Sequence, residues 1–276
     1  MPYGIEKSIE DDIMFYRFGR AQQVYRAPKP NLRRPYCAFI GGSETFGKQV
    51  QSPFPAILQR QTGIQVGNWG TPGAGPGFFL KDPAVIEVAS NARMSIIQLM
   101  SPMALSNRMY QVYPRRNQRL FGAGNALLHL YPEVDFSQFR YVHRMLWKLH
   151  QLDPDRFAIV MSEVQSAWLA RTTELLEMIE GHKILLWLHH PSIDQAVPTG
   201  AYQALRVLVE ETVEVSLAGV DHPEICAEPV SMDAAAHRKV ADALRGPMLK
   251  MWSANALRQM PGGVFDWIHW GKRKPA

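Results

Sequence analysis

The sequence contains little cysteine and no long apolar stretch. Its 276 residues include only two cysteines, Cys37 and Cys226, which are too few for a disulfide framework and are not spaced as metal ligands. The longest apolar runs, such as 184–188, are far shorter than the about 20 residues that a helix needs to cross a bilayer. The first 20 residues have no apolar run typical of a signal peptide. We therefore expect a cytoplasmic protein that has no membrane partner, no metal and no other cofactor.

The sequence also lacks repetition and a strong charge of one sign. We find no internal repeats and no low-complexity segment. The formal net charge of +5 at pH 7 is modest for this length and does not indicate binding to nucleic acid. Hydrophobic residues make up 46% of the chain, which is typical of a globular protein rather than a disordered one. We expect one α/β domain over residues 1–276, with an irregular lead-in over 1–35.

The order of the predicted elements indicates a parallel sheet. Helices are predicted near 53–61, 83–91 and 202–209, and two final helices over 234–244 and 247–260. Buried strands are predicted at 36–40, 64–68, 95–100, 183–189 and 213–217. Alternation of strands and helices favours a three-layer α/β sandwich with a parallel sheet of about five strands.

Residues 101–181, after the third strand, interrupt this alternation. From about residue 116 they are predicted to be mostly helical, with Asp135 as the N-cap of a helix over 136–152. Asp153, followed by Pro154, is predicted to begin a longer helix. We expect a helical insertion or cap over the carboxyl edge of the sheet.

The most informative segment is 36–48, YCAFIGGSETFGK. A strand of apolar residues runs through Gly41 and Gly42 to Ser43, and a helix follows. Such a turn exposes backbone N–H groups and one side chain at the carboxyl edge of the sheet, where open α/β sheets bind their ligands. Two kinds of site use this shape: a serine nucleophile on a tight turn, and a loop that binds phosphate.

The phosphate-binding interpretation rests on the pattern G-x-x-x-x-G-K over residues 42–48. Gln49 follows, where a Ser or Thr should bind magnesium, and Glu44 adds a negative charge inside the loop. No later predicted strand ends in an Asp of the metal-holding type. A degenerate nucleotide-binding loop therefore stays an alternative that lacks its metal ligands.

The nucleophile interpretation rests on a resemblance to the SGNH (GDSL-like) hydrolase superfamily. The first block of that family, G-D-S-x-T, resembles Gly41–Thr45, with Gly42 in place of the aspartate. Its second block, in the form N-x-G-x-P-G-x-G-P, resembles Asn68–Pro76, and Asn107 matches the asparagine of its third block. The resemblance implies an SGNH/flavodoxin-like fold with Ser43 as the nucleophile. It also implies an oxyanion hole formed by the N–H groups of Ser43 and Gly73 and the amide of Asn107.

The last block of the SGNH family, D-x-x-H, has no match with the right spacing. We choose His237 as the base that activates Ser43, with Asp233, one helical turn earlier, as its orienting carboxylate. The alternative role for Asp233 is that of helix N-cap. His222 follows Asp221 in the loop where the catalytic histidine is expected. The other candidates for the base are His189 and His190, at the end of the fourth strand.

Over most of its length the chain also resembles an uncharacterised bacterial family with a GG-[ST]-ET-[YF]-G loop, an SNR element and an HPRRN element. These elements read here as GGSETFG, as Ser106–Arg108 and as YPRRN at 113–117. The loop of that family accepts threonine at the position of Ser43. A binding loop built from backbone donors and a hydroxyl is therefore an alternative to a nucleophile.

Several arginines follow the third strand, and aromatic residues lie between them: the arginines are Arg108, Arg115, Arg116 and Arg119. Guanidinium groups bind carboxylate, sulfate or phosphate through two hydrogen bonds. The alternative for these arginines is charge pairing with Glu133, Asp135 or Asp153. We expect Arg108, Arg115 and Arg116 to bind substrate together with Thr45 and Gly70.

These observations lead to one functional prediction and one alternative class. We predict an ester hydrolase or acyltransferase of SGNH type that acts on a small molecule or glycan, of anionic or carbohydrate type. The alternative is a non-catalytic binding protein for an anionic glycan or nucleotide. The absence of a D-x-x-H block keeps this alternative open, because without a base the same loops would bind and not react.

Overall fold

The structure is a computed structural model that describes residues 13–17, 23–189, 197, 199–217 and 232–258. The strands are β1 (Phe15–Arg17), β2 (Val24–Arg26), β3 (Cys37–Ile40), β4 (Val66–Asn68), β5 (Met94–Gln98), β6 (Tyr110–Tyr113), β7 (Arg116–Ala123), β8 (Lys183–His189) and β9 (Glu211–Ser216). The helices are α1 (Ser43–Phe46), α2 (Phe54–Thr62), α3 (Pro76–Phe79), α4 (Pro83–Ser90), α5 (Asn125–Leu130), α6 (Val142–Leu152), α7 (Pro154–Met178), α8 (Thr199–Arg206) and α9 (Ala234–Arg258). None of these described helices combines the length and apolar character that a bilayer crossing requires.

The central sheet has five strands in the order β4-β3-β5-β8-β9, and every neighbouring pair is parallel. Counted along the chain, this is the order 2-1-3-4-5 of flavodoxin-like folds. The predicted α/β sandwich with about five parallel strands is therefore confirmed. The crevice of such a fold lies at the carboxyl ends of β3 and β5, because the strand order reverses between them.

The two faces of the sheet are covered by different helices, as the alternation of side chains along β3 shows. Ala38 and Ile40 pack into a core with residues of α4, α7 and α8. Cys37 and Phe39 point to the other face, where they pack with residues of α2 and α9. Because successive side chains of a strand face opposite sides, a strand buried on both faces reads as one continuous apolar run.

The insertion after β5 contains a β-hairpin that the sequence analysis does not predict. Strands β6 and β7 pair antiparallel, and residues of this hairpin form a third core with α5, α6 and α7. Tyr110 and Val112 are buried while Gln111 and Tyr113 are exposed, which is the alternation of a half-buried strand. The prediction of helix from residue 116 is therefore wrong over 116–123, because this segment follows the turn at Pro114 and pairs with β6 as a strand.

Two helix boundaries also differ from the prediction. Asp135 caps only a single 3₁₀ turn, Phe136–Gln138, and α6 begins later, at Val142. The two predicted final helices are one helix, α9, which continues through Pro247. Val240, Leu244 and Met248 lie four residues apart and are all buried in the core of α2 and α9. This continuous apolar face offsets the hydrogen bond that the proline removes.

The lead-in is more ordered than predicted near its end. Strands β1 and β2 form a short antiparallel hairpin, and Arg26 at its end is buried. The Arg26 guanidinium donates hydrogen bonds to the carbonyls of Phe46, Gly47, Val50 and Gln51. The hairpin therefore fixes the chain that leaves α1.

Candidate active site

Ser43 is the exposed first residue of the one-turn helix α1, directly after the carboxyl end of β3. The turn before it is tight: a Cβ on Gly41 would overlap Thr45 Oγ1 and would lie 2.5 Å from Gln98 Oε1. Gly47 ends α1 with a φ of +67°, a left-handed conformation that glycine adopts without strain. The sequence Gly41–Gly47 therefore folds into a sharp turn that presents the Ser43 hydroxyl at the edge of the sheet.

Gln98, the last residue of β5, holds this turn from inside, and the sequence analysis did not single it out. Its Oε1 accepts hydrogen bonds from Gly42 N at 3.1 Å, Thr45 N at 3.2 Å and Thr45 Oγ1 at 2.6 Å. Its Nε2 donates to Glu44 Oε2 at 2.6 Å. A phosphate-binding loop needs its backbone N–H groups for the ligand, so these bonds count against a nucleotide site here.

The glycine-rich segment after β4, residues 70–77, lies directly against this turn. The N–H of Gly73 donates to Ser43 Oγ at 3.0 Å. Thr71 N donates to Gly41 O at 3.0 Å, and Asn68 Nδ2 donates to Thr45 O at 2.8 Å. The structure thus brings Ser43 and Gly73 together.

Two residues expected to bind substrate lie inside this arrangement. Thr45 is buried, and both its hydroxyl and its N–H are bonded to Gln98. Gly70 packs so tightly on α1 that a Cβ there would overlap Phe46 N. Both residues shape the site from within: Thr45 N, Oγ1 and O are all bonded, and Gly70 N donates to Asn68 Oδ1.

Asn107 is bonded within its own loop. Its Oδ1 accepts from Met109 N at 2.8 Å and Tyr110 N at 3.1 Å, and its Nδ2 donates to Leu105 O at 3.1 Å. These bonds form a local turn of the kind that Asx side chains make. Within the described residues, all the hydrogen bonds of this side chain stay within residues 105–110, so the structure shows Asn107 shaping its own loop.

The hairpin β6–β7 places a bulge against the glycine-rich segment instead. Val112 is opposite Leu120, but Tyr113 is already opposite Arg116, so Asn117, Gln118 and Arg119 have no partner on β6. Asn117 is buried, and its Oδ1 accepts a hydrogen bond from Gly75 N at 3.2 Å. The side chain of Gln118 lies against Gly73: a Cβ added to Gly73 would overlap Gln118 Oε1. Bulges commonly redirect side chains beside functional sites.

His237 is buried beside α2 and is held there by a backbone group. Its Nδ1 accepts the N–H of Phe54 at 3.2 Å, and its ring stacks on the ring of Phe54. The pKa of His237 is lowered to about 4, first by burial and then by the positive charge of Arg26, while the charge of Asp233 acts in the opposite direction. A neutral ring whose Nδ1 accepts a hydrogen bond carries its proton on Nε2, so His237 has no free lone pair for the Ser43 proton.

Asp233 takes the alternative role, that of N-cap of α9. Its Oδ1 accepts the N–H of Ala236 at 2.7 Å, and its side chain is exposed. An orienting carboxylate would accept a hydrogen bond from the Nδ1–H group of the histidine, but in His237 Nδ1 is itself an acceptor. The geometry therefore corrects the expectation that Asp233 and His237 form the acid–base pair of a triad.

None of the other histidine candidates is seen bonded to Ser43 within the described residues. His189 lies at the end of β8, where its Nε2 is 2.9 Å from Glu214 Oε2 and its ring stacks on Trp187. His190, His222 and Asp221 lie outside the described residues. Among the described residues, the hydrogen-bond partner of Ser43 Oγ is Gly73 N and not a histidine.

The arginines of the insertion divide into two groups. Arg108 is paired with Glu163, and this ion pair fixes the Arg108 head group. Arg115 and Arg116, at the tip of the hairpin, are exposed and make no ion pair within the described residues. The acidic residues named as alternative partners bind elsewhere: Glu133 and Asp153 pair with Arg156, and Asp135 binds Ser137.

Fold and site together define an α/β protein of flavodoxin-like strand order that presents an exposed serine at the switch point of its sheet. The chain belongs to the family described as a domain of unknown function (DUF6473), whose model matches residues 1–263. The described residues contain no cluster of three or more His, Cys, Asp or Glu side chains that could hold a metal ion.

A comparison with curated proteins gives no match. Two solved structures are similar at 13% identity over 77% of this chain. One is a protein described as a lipolytic member of the G-D-S-L family from Desulfitobacterium hafniense, covered over 99% of its length with a TM-score of 0.42. The other is the lipase Lip_vut3 from a goat rumen metagenome, covered over 97% with a TM-score of 0.43. At this level of similarity neither structure informs the function of this chain.

Proposed function

We propose that this protein is an ester hydrolase or acyltransferase with Ser43 as its nucleophile. The observation that carries the proposal is the 3.0 Å hydrogen bond from Gly73 N to Ser43 Oγ. It places a backbone donor from the second loop beside an exposed hydroxyl at the switch point of the sheet. Open α/β sheets bind ligands at that point, and acyl transfer needs a nucleophile with N–H donors beside it.

The chemistry follows from this pair of groups. Ser43 Oγ forms a bond to the acyl carbon as its proton passes to a base, and the N–H groups of Ser43 and Gly73 donate to the oxygen that becomes negative. The ester bond then breaks, and the leaving alcohol takes up the proton. Water or a second alcohol removes the acyl group from Ser43. Loss of one such donor typically lowers kcat by about 10²–10³-fold.

The base is the group that this proposal leaves to experiment. His237 and His189 already have other partners, and His190 and His222 lie outside the described residues. His222 has the loop position that the SGNH resemblance gives to the catalytic histidine. We therefore include all four histidines in the test.

The proposed substrate carries an anionic group. Support comes from the tip of the hairpin, where Arg115 and Arg116 are exposed and unpaired within the described residues. They precede Gln118, which touches Gly73, by three and two residues. A strand rises about 3.3 Å per residue, so the two arginines start about 7–10 Å along the chain from Gln118, within the span of a small ester.

The test is turnover of two short acyl esters that share an acyl group, one with a neutral alcohol part and one with a carboxylate or phosphate on it. We expect the wild type to hydrolyse both, the anionic ester at the higher kcat/KM, and Ser43→Ala to lose activity on both. One of the variants His189→Ala, His190→Ala, His222→Ala and His237→Ala should lose activity without losing its fold. Activity that persists in Ser43→Ala would contradict the proposal.

A second function is favoured by the engagement of His237. With Nδ1 bonded to Phe54 N, this histidine cannot deprotonate Ser43, and the same loops could bind an anionic glycan without reacting. This binding function predicts no turnover of either ester by the wild type. It also predicts that calorimetry detects an anionic oligosaccharide whose binding is lost in Arg115→Gln/Arg116→Gln.

A further inference from the structure

We propose that Gln118, and not Asn107, supplies the third oxyanion donor of this site. The inference rests on the proposed function, since it assigns a residue to the reaction at Ser43. Its basis is the bulge of β7, which carries Gln118 to the one glycine that already donates to the Ser43 hydroxyl.

The position of the carboxamide is the first step. Gln118 Oε1 occupies the place where a Cβ of residue 73 would lie, and Gln118 Nε2 is 3.2 Å from that place. Only a glycine at position 73 permits this contact. The amide group of Gln118 is therefore separated from Ser43 Oγ by the backbone of a single residue, because the N–H of that residue bonds to Oγ at 3.0 Å.

The second step is that the N–H groups of this carboxamide have no hydrogen-bond partner within the described residues. Within the described residues the side chain of Gln118 makes no hydrogen bond, and it is half-buried beside the glycine-rich segment. The Asn107 amide, in contrast, holds three bonds in its own loop. Of the two amides, Gln118 has both N–H bonds of Nε2 without a partner in the part of the chain that the structure describes, whereas Asn107 Nδ2 uses one of its two for Leu105 O.

The third step is that the bulge is anchored, so Gln118 is held near the site. The preceding residue, Asn117, accepts a hydrogen bond from Gly75 N, and its Nδ2 donates to Tyr113 O at 2.9 Å. The following residue, Arg119, forms an isolated antiparallel β-bridge with Tyr141, and Leu120 N donates to Arg140 O at 3.1 Å. Anchors on both sides limit the motion of residue 118 to its side-chain torsions. A half-turn of the terminal amide exchanges Oε1 and Nε2, so it would place the donor where Oε1 now lies, against Gly73.

The geometry also explains why the donor comes from β7 and not from the segment before β6. Asn107 precedes the hairpin and is used to start it, through its bonds to Met109 N and Tyr110 N. Gln118 lies on the returning strand, which crosses over the glycine-rich segment. A side-chain carboxamide thus lies at the site, but it belongs to residue 118 and not to residue 107.

The experiment compares Gln118→Ala and Gln118→Glu with the wild type in steady-state turnover of the neutral ester and in the rate of fluorophosphonate labelling of Ser43. Gln118→Glu keeps the shape of the side chain but replaces the N–H₂ donor by a carboxylate. We expect kcat to fall by about 10²-fold or more in both variants, with KM changed less than about threefold and the labelling rate lowered in parallel with kcat. The matched control is Gln111→Ala, which removes an exposed glutamine from the other strand of the same hairpin and should behave as the wild type.

A kcat within about twofold of the wild type in Gln118→Glu, with Ser43 labelled normally, would overturn this inference and leave the proposed function standing. Loss of kcat in Asn107→Ala but not in either Gln118 variant would return the role to Asn107. A wild type that neither turns over an ester nor reacts at Ser43 would overturn the proposed function and this inference with it.

Discussion

Gly73 N lies 3.0 Å from Ser43 Oγ, although 30 residues separate the two along the chain. The contact joins the first turn of α1 to the glycine-rich segment after β4, and these follow adjacent parallel strands. Gly73 has a φ of +67°. The hydrogen bond therefore depends on a backbone conformation that glycine adopts easily and other residues adopt with strain.

Gly73→Ala should weaken both the fold and the site. A Cβ at this position is strained by the positive φ and overlaps Gln118, so we expect a loss of about 1–2 kcal/mol in the free energy of unfolding. The labelling of Ser43 should slow because the N–H moves away from Oγ. Urea unfolding and labelling kinetics measure the two effects. The control is Gly122→Ala, where a Cβ meets nothing within 4 Å; equal behaviour of the two variants would contradict the prediction.

Gln98→Leu should disrupt the turn that presents Ser43. The substitution leaves Gly42 N, Thr45 N and the Thr45 hydroxyl without their shared acceptor in a buried place. We expect the free energy of unfolding to fall by about 2–4 kcal/mol, as measured by urea denaturation. Gln111→Leu, on the exposed face of β6, should change stability by less than about 0.5 kcal/mol. A loss below about 1 kcal/mol in Gln98→Leu would show that the turn holds without this glutamine.

The stability of the protein should fall as the pH is lowered from about 6.5 to about 4. Burial and the charge of Arg26 lower the pKa of His237 to about 4 in the folded state, from an ordinary value of about 6.5. In this window the unfolded chain binds a proton that the folded chain does not, so acid favours unfolding, by up to about 3 kcal/mol.

The variant His237→Gln should flatten this part of the pH profile, because glutamine does not titrate and its oxygen can still accept the Phe54 N–H. Urea unfolding at several pH values measures the slope. His129→Gln replaces an exposed histidine and leaves His237 in place, so it serves as the control. An unchanged slope in His237→Gln would mean that other groups cause the acid sensitivity.

Arg115→Gln/Arg116→Gln should raise KM for the anionic ester by about tenfold and leave KM for the neutral ester unchanged. The expected cause is loss of charge-assisted hydrogen bonds to the anionic group, and added salt should reduce the difference between wild type and variant. Both arginines are exposed, so the thermal midpoint should stay the same. The control is Arg33→Gln/Arg34→Gln, because this exposed arginine pair precedes β3 and so lies at the amino edge of the sheet, away from the site. An equal effect of both pairs would indicate net charge instead of a binding site.

Much of the fold follows from local patterns in the sequence. The apolar runs of β3, β5 and β8 predict buried parallel strands, and the cap at Asp153 lies where the sequence indicates. The order of these elements leads to the sheet, and the sheet brings Ser43 next to Gly73. These features depend on residues close together in the chain or on general rules for parallel sheets.

The rest of the site depends on contacts that no local pattern specifies. Gln98 meets the turn 53–56 residues away, Asn117 meets Gly75 across 42 residues, and His237 meets Phe54 across 183. The bulge that carries Gln118 arises from a register shift between β6 and β7, which sequence periodicity does not reveal. A signal that could have drawn attention to Gln98 is its position as a glutamine between the apolar residues Ile97 and Leu99 at the end of β5.

The most direct measurement is active-site labelling of the intact protein with a fluorophosphonate, followed by peptide mapping with mass spectrometry. We predict one label per chain, located on Ser43, and no label in Ser43→Ala. Gly122→Ala, which leaves the site intact, should be labelled like the wild type. A label that persists in Ser43→Ala, or a wild type that stays unlabelled while a small ester is hydrolysed, would contradict the assignment of Ser43 as the nucleophile.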